Sequence, residues 1–247
     1  MSIEPIVHPD GNTLAAAVAA RLVTSILDAQ AARGAAQVVL TGGTIGTASM
    51  AAVRAEPAHP AVDWQRVDFW WSDARFEPEG SDLRNATGAR DALLAHLPVD
   101  PARVHEMPPR GGRYGDDIAA AAAGYADELA AAAPPRATGP YPSFDVAMLG
   151  VGHDGHVASL FPGFTPAAPG VTVVPVLDSP KPPPTRISFT LPVINSAREV
   201  WLIADGAVKA PAIAAALGVS GDPVPAGRVQ GTHRTLALID TAAASLL

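Results

Sequence analysis

A histidine two residues beyond an aspartate, set among three glycines, follows an apolar run in FDVAMLGVGHDGHVASLFPG, residues 144–163. An imidazole with an ordinary pKa of about 6.5 can move a proton near neutral pH, which makes His156 a candidate general base. Asp154 is placed to orient that ring or a nucleophilic water. Gly150, Gly152 and Gly155 allow close backbone approach, and free N–H groups there could hold an oxyanion. Ligands of open α/β sheets bind outside the carboxyl ends of strands, where such a loop would sit. The residue types alone leave a second reading equally open, a glycine turn whose Asp caps a helix and whose His is merely exposed.

Three other stretches carry groups suited to an anion. In Thr41-Gly42-Gly43-Thr44 the glycines free backbone N–H groups, the last threonine adds a hydroxyl, and a following helix would add its positive end; an ordinary strand-to-helix turn reads the same way. Asp73-Ala74-Arg75 offers a guanidinium for phosphate or carboxyl oxygens, or else a solvated surface arginine, while Asp73 either turns the loop or contacts a substrate. Lys181 lies between Pro180 and Pro182-Pro183-Pro184, whose fixed φ limits the directions it can point. Arg186 follows closely. A polyproline ligand for an SH3-type partner is disfavoured because the stretch is wedged between predicted core strands.

These groups need a scaffold that brings strand ends together. Asn12 or Thr13 is expected to cap a helix carrying Leu14, Val18, Leu22 and Ile26 at every fourth position, with Gly34 as its stop. Strands are expected at 37–41, 67–71, 144–149, 171–177, 187–191, 199–204 and 235–240, with 103–107 extended. Helices are expected to begin near Thr44 and over 82–96, 116–133 and 206–217, with a connector over 134–142 and a rigid loop over 180–184. Alternating strands and helices predict a doubly wound, mainly parallel sheet with helices on both faces, Rossmann-like, in a single α/β domain spanning 1–247.

Composition sets outer bounds. At 247 residues, 48% hydrophobic and 17% charged, the chain has globular composition despite 25 prolines and long alanine runs. It has no cysteine, which excludes disulfides and thiolate-held metals. No secretory leader pattern opens it, and no uninterrupted apolar segment of about 20 residues is evident, so a cytoplasmic protein without membrane partners is expected. A net charge of −7 with no basic stripe argues against nucleic acid. The other histidines, His8, His59, His96, His105 and His233, belong to no motif, and no histidine cluster accompanies Asp154 and His156, so no metal is expected.

The run from Gly150 to Gly163 closely resembles the signature of the 6-phosphogluconolactonases, which share a superfamily with the glucosamine-6-phosphate deaminases. Thr41–Thr44 resembles that family's phosphate loop. Ser72-Asp73-Ala74-Arg75-Phe76 with Asn85 resembles its D-E-R…N region, except that Ala74 replaces the usual glutamate. Residues 180–192 resemble its P-K-P-P-x-R-I-T-x-T-x-P motif. The resemblance spans roughly residues 37–211. It implies hydrolysis of 6-phospho-D-glucono-1,5-lactone in the oxidative pentose phosphate route, without cofactor, with His156 as the base and Asp154 its partner. It further implies substrate contacts from Gly42, Gly43, Thr44, Asp73, Arg75, Gly152, Lys181 and Arg186. The sister activity, deamination of glucosamine 6-phosphate, uses an acidic residue shortly after D-G-H, where this chain reads Val157-Ala158-Ser159-Leu160-Phe161-Pro162. A silent sugar-phosphate sensor would need neither Asp154 nor His156. The expected partner is a sugar-phosphate lactone, and the expected state is a monomer or weak homo-oligomer.

Overall fold

A computed structural model describes residues 2–135 and 139–247. In chain order the elements are β1 (Ile3–His8), α1 (Gly11–Arg33), β2 (Ala36–Leu40), α2 (Thr44–Ala52), β3 (Val67–Trp71), β4 (Asp73–Arg75), α3 (Asn85–Ala92), β5 (Val104–His105), α4 (Ile118–Ala132), β6 (Val146–Gly150), β7 (Val173–Val176), β8 (Arg186–Phe189), α5 (Leu191–Ile194), β9 (Glu199–Ala204), α6 (Ala210–Ala216) and β10 (Arg234–Asp240). Seven strands form a sheet in the order β1-β10-β9-β6-β2-β3-β5, every pair parallel. A second, antiparallel sheet has the order β4-β8-β7.

Period-two alternation divides each central strand between two cores. Val38, Leu40, Val146, Met148, Trp201, Ile203, Leu236 and Leu238 face α1, α2 and α3. Val39, Ala147, Leu149, Val200, Leu202, Ala237 and Ile239 face α4, α6 and the small sheet. Because both faces are covered, these strands read as continuous apolar runs. Trp70, Trp71, Trp201 and Phe69 are almost fully buried. Burying a large apolar side chain contributes about 1.5–3 kcal/mol, so these positions anchor the layers.

Several boundaries differ from the sequence reading. Asp10, rather than Asn12 or Thr13, caps α1, its Oδ1 accepting the Thr13 N–H at 2.8 Å, and Gly34 closes the helix at φ 79° as expected. Helix α1 is by length and composition apolar enough to cross a membrane, although Arg21 and Asp28 interrupt its apolar run as the sequence reading had it. Here its Leu14, Val18, Leu22 and Ile26 are packed in the core against the sheet. Strand β1 was not foreseen; it joins the edge of the sheet beside β10. Residues 73–75, read as loop, pair with β8. The extended run predicted over 187–191 stops at Phe189 and turns into α5. Within the connector predicted over 134–142, residues 136–138 lie outside the described residues.

The strand order reverses between β2 and β6. From β2 the chain proceeds outward to β3 and β5; from β6 it proceeds the other way to β9 and β10. The loops leaving the carboxyl ends of β2 and β6 therefore diverge, which opens a crevice of the kind doubly wound sheets use for ligands.

Candidate active site

The crevice is a cleft of about 280 Å³, walled by Thr41, Gly42 and Gly43 after β2, by Gly150, Val151, Gly152, His156 and Ala158 after β6, and by Asp73, Arg75, Asn85, Lys181, Pro182, Arg186 and Lys209. The two switch-point loops are tied together: the Gly150 N–H donates to Thr41 Oγ1 at 3.0 Å. The small sheet brings in the rest. Strand β4 supplies Asp73 and Arg75, and the β7–β8 connection reaches over the cleft with Lys181.

His156 and Asp154 form a hydrogen-bonded pair, Nδ1 to Oδ1 at 2.5 Å. Burial depresses the pKa of His156, and the nearby Lys181 charge adds to this; the hydrogen bond and charge of Asp154 and the charge of Asp73 only partly offset them. Burial raises Asp154, but its hydrogen bond from His156 and the His156 and Lys181 charges outweigh that and hold it at about 2. At neutral pH the pair is a carboxylate beside a neutral imidazole. With Nδ1–H donated to Asp154, Nε2 keeps its lone pair, the arrangement a general base needs. Phe161 stacks against the ring, centroids 4.6 Å apart.

Gly152 owes its identity to this pair. A Cβ there would fall 2.0 Å from His156 Nδ1 and 2.5 Å from Asp154 Oδ1. The glycine loop was expected to offer free N–H groups to an oxyanion, but the amides of its three glycines are already bonded. Gly150 N–H goes to Thr41, Gly152 N–H to the His156 carbonyl at 2.9 Å, and Gly155 N–H to the Gly152 carbonyl at 3.0 Å. The turn continues through Ala158 at φ 50°, an unusual conformation for a residue with a Cβ. The next residue pins it: Ser159 N–H donates to Ser188 Oγ at 3.1 Å, and Ser159 Oγ donates to Asp73 Oδ2 at 2.7 Å.

Of the expected anion contacts, Gly42 and Gly43 reach the wall. Gly42 is compact by necessity, since a Cβ would meet Asn85 Oδ1 at 2.0 Å; Gly43, at φ 81°, lets the chain turn into α2. Thr44 does not reach the wall. It is the exposed first residue of α2. Asp73 lines the cleft, but Asn85 Nδ2 donates to its Oδ1 at 3.0 Å and Ser159 to its Oδ2, so it braces the framework. Arg186, 5% exposed, gives Nε to the Pro183 carbonyl at 3.2 Å and one terminal nitrogen to the Lys181 carbonyl at 3.0 Å, while its other terminal nitrogen faces Asp73 Oδ2 at 4.0 Å. Arg75 is different. One terminal nitrogen donates to the Leu83 carbonyl at 2.7 Å, whereas its Nε is buried with no hydrogen-bond partner among the described residues.

Ala74 points into the core between these two, beside Ile187, and is 3% exposed. Strand alternation puts the position where the family has glutamate on the opposite side from Asp73 and Arg75. Its replacement therefore removes no carboxylate from the cleft.

Lys209 escaped the sequence reading. It lies in the turn between β9 and α6, its Nζ donating to the Val151 carbonyl at 2.7 Å, and burial lowers its pKa. The only sequence signal was its place just after a predicted buried strand. Arg75, Lys181, Arg186 and Lys209 give the site four cations against the carboxylates of Asp73 and Asp154, a local positive field in a chain of net charge −7. Among the described residues no group of three or more His, Asp or Glu side chains is arranged to hold a metal ion.

The family model described as glucosamine-6-phosphate isomerases/6-phosphogluconolactonase matches residues 9–238. A 6-phosphogluconolactonase of Streptomyces coelicolor is 54% identical over 248 residues, covering 98% of this chain and 94% of that one. One from Mycobacterium tuberculosis is 46% identical, covering 100% and 99%. The structure of 6-phosphogluconolactonase from Trypanosoma brucei superposes with a TM-score of 0.84 at 25% identity, covering 100% and 99%. The chain belongs to the glucosamine-6-phosphate isomerase/6-phosphogluconolactonase family.

Proposed function

We propose that the chain hydrolyses 6-phospho-D-glucono-1,5-lactone to 6-phosphogluconate, with His156 as general base. The observation that carries this reading is a neutral imidazole, oriented by Asp154, on the wall of a cleft whose other charged groups are mainly cations. The full-length similarity to 6-phosphogluconolactonases supports the same reading.

In the proposed cycle the phosphate is held by the Gly42–Gly43 turn and the fixed cations Arg75 and Lys209. His156 Nε2 takes a proton from water as the water oxygen bonds to the lactone carbonyl carbon. The resulting oxyanion is stabilised by the positive field of the cleft, since the amides of Gly150, Gly152 and Gly155 are already engaged. Collapse breaks the bond to the ring oxygen, which receives the proton back from His156. Asp154 holds the tautomer and steadies the transient imidazolium. An activated ester needs neither a metal nor a covalent nucleophile.

The deaminase reading lacks its acid. The segment after His156 carries no carboxylate as far as Gly163, and Asp73, on the wall, is already bonded to Asn85 and Ser159.

The test is acid release from 6-phosphogluconolactone by purified protein, corrected for spontaneous hydrolysis, beside ammonia release from glucosamine 6-phosphate. Lactone turnover without ammonia release is expected, and His156→Ala should lower kcat by about 10²- to 10⁴-fold with the fold intact. Near-normal turnover in that variant would overturn the assignment of the base.

A further inference from the structure

The most informative contact in the site is one that a phosphate anchor should not make. The Lys181 Nζ lies 3.2 Å from Asp154 Oδ1, 3.2 Å from His153 Nδ1 and 3.3 Å from His156 Nδ1. It thus meets the same carboxylate oxygen that accepts His156 Nδ1–H at 2.5 Å. One oxygen accepts from both the lysine and the histidine. The ammonium also sets a positive charge against the ring that must become positive during catalysis.

Only the end of this side chain is free to leave. The Lys181 N–H donates to Ser179 Oγ at 3.2 Å, and its carbonyl accepts from Ser179 Oγ and from Arg186, each at 3.0 Å. The backbone is fixed, but the flexible four-carbon stem can redirect the charge within the cleft it already lines. Lys209 differs here. Its Nζ is held by a backbone carbonyl, with no hydrogen bond to the dyad.

We infer that Lys181 is a substrate-operated brake on the dyad: beside the dyad it shares Asp154 with His156, and an anionic group entering the cleft draws the ammonium toward itself, leaving Asp154 mainly to His156. This rests on the lactonase reading and adds to it. The substrate phosphate then does more than bind; it raises the basicity of His156 and so contributes to kcat. An ammonium drawn toward a phosphate carries its charge away from the ring and so weakens its hold on Asp154.

The groups facing His156 are few. Asp154 and His153 come from its own loop, Lys181 from the β7–β8 connection, Asp73 from β4, and Phe161 covers the ring with Arg186 above the phenyl at 5.7 Å. At this position Lys181 opposes protonation of His156, whereas Asp154 and Asp73 favour it. Moving Lys181 away therefore raises the His156 midpoint.

The experiment titrates ¹⁵N-labelled His156 by NMR in wild type and Lys181→Met, with and without inorganic phosphate. It also measures hydrolysis of unphosphorylated gluconolactone at pH 8, where the imidazole is neutral. The expected results are an upward move of the wild-type midpoint on adding phosphate, and a raised midpoint in Lys181→Met that phosphate moves much less. Unphosphorylated lactone turnover should rise about two- to tenfold in wild type with phosphate, and in Lys181→Met without it, as expected for a stronger base. An equal phosphate-induced move in both proteins would mean that the anion acts on His156 directly, and the brake would be wrong. A fall in basal turnover in Lys181→Met would overturn it too, by making Lys181 a support of the dyad. The titration does not depend on turnover, so loss of the lactonase reading shows separately, as absent 6-phosphogluconolactone hydrolysis by wild type.

Discussion

Replacing Arg75 by methionine should separate phosphate recognition from catalysis. Arg75 projects from β4 into the cleft, donates once to the Leu83 carbonyl at 2.7 Å, and keeps a buried Nε without a partner. An orphaned buried donor costs roughly 1–3 kcal/mol of desolvation, about what the bond to Leu83 returns. Methionine fills similar space without that cost, so stability should change by less than about 1 kcal/mol. In the complex the same guanidinium would complete its bonds on the substrate anion. A hydrogen bond to a charged group contributes about 1.5–3 kcal/mol, which corresponds to roughly ten- to a hundred-fold in kcat/KM. That loss should fall on 6-phosphogluconolactone, mainly in KM, and leave unphosphorylated gluconolactone nearly unchanged. The assay is initial-rate acid release with both lactones at two salt concentrations, with a thermal melt as the check on folding. Added salt should weaken the wild-type preference, because screening reduces attraction between the positive cleft and its anion. Equal losses for both lactones in a stably folded Arg75→Met would refute the reasoning and make Arg75 a brace for the loop that carries Leu83.

Two further outcomes follow from packing and protonation. Gly152→Ala places a methyl within 2.0 Å of His156 Nδ1 and should displace the dyad, lowering kcat by about a hundred-fold while the protein still folds, checked by kinetics beside circular dichroism. His105 lies between Asp68 (3.2 Å) and Glu128 (2.7 Å), stacked on Trp70 with centroids 3.8 Å apart. Burial lowers its pKa, but the two carboxylates outweigh this and raise it. Its contribution is therefore complete below about 6.5 and lost as pH rises through the raised folded value, so His105→Gln should flatten the decline of Tm over that window.

Much of this protein is written locally. The apolar runs at 199–204 and 67–71 are strands because their lengths and β-prone residues suit burial on both faces, and the fourfold spacing of Leu14, Val18, Leu22 and Ile26 makes one helix face. The glycine loop with Asp154 and His156 was legible for the same reason: the residues that make the pair lie two apart. What the sequence left open depends on partners far along the chain. Strand β1, with a proline in six residues and a half-exposed face, exists because β10 offers it a ladder. Asp73–Arg75 becomes strand only by pairing with residues 186–188, and that pairing turns Ala74 into the core and Asp73 and Arg75 toward the cleft. The strand order, with its reversal between β2 and β6, decides that loops over a hundred residues apart share one crevice. Lys209 carries no local pattern that marks it, and Asn85 is marked only by the family resemblance. The placement of Lys181 on Asp154, 27 residues away, could not be read from a motif in which proline stiffness fixes the backbone but not the end of the side chain. Periodicity and turn chemistry act over a few residues; which charges meet is settled by how the layers pack.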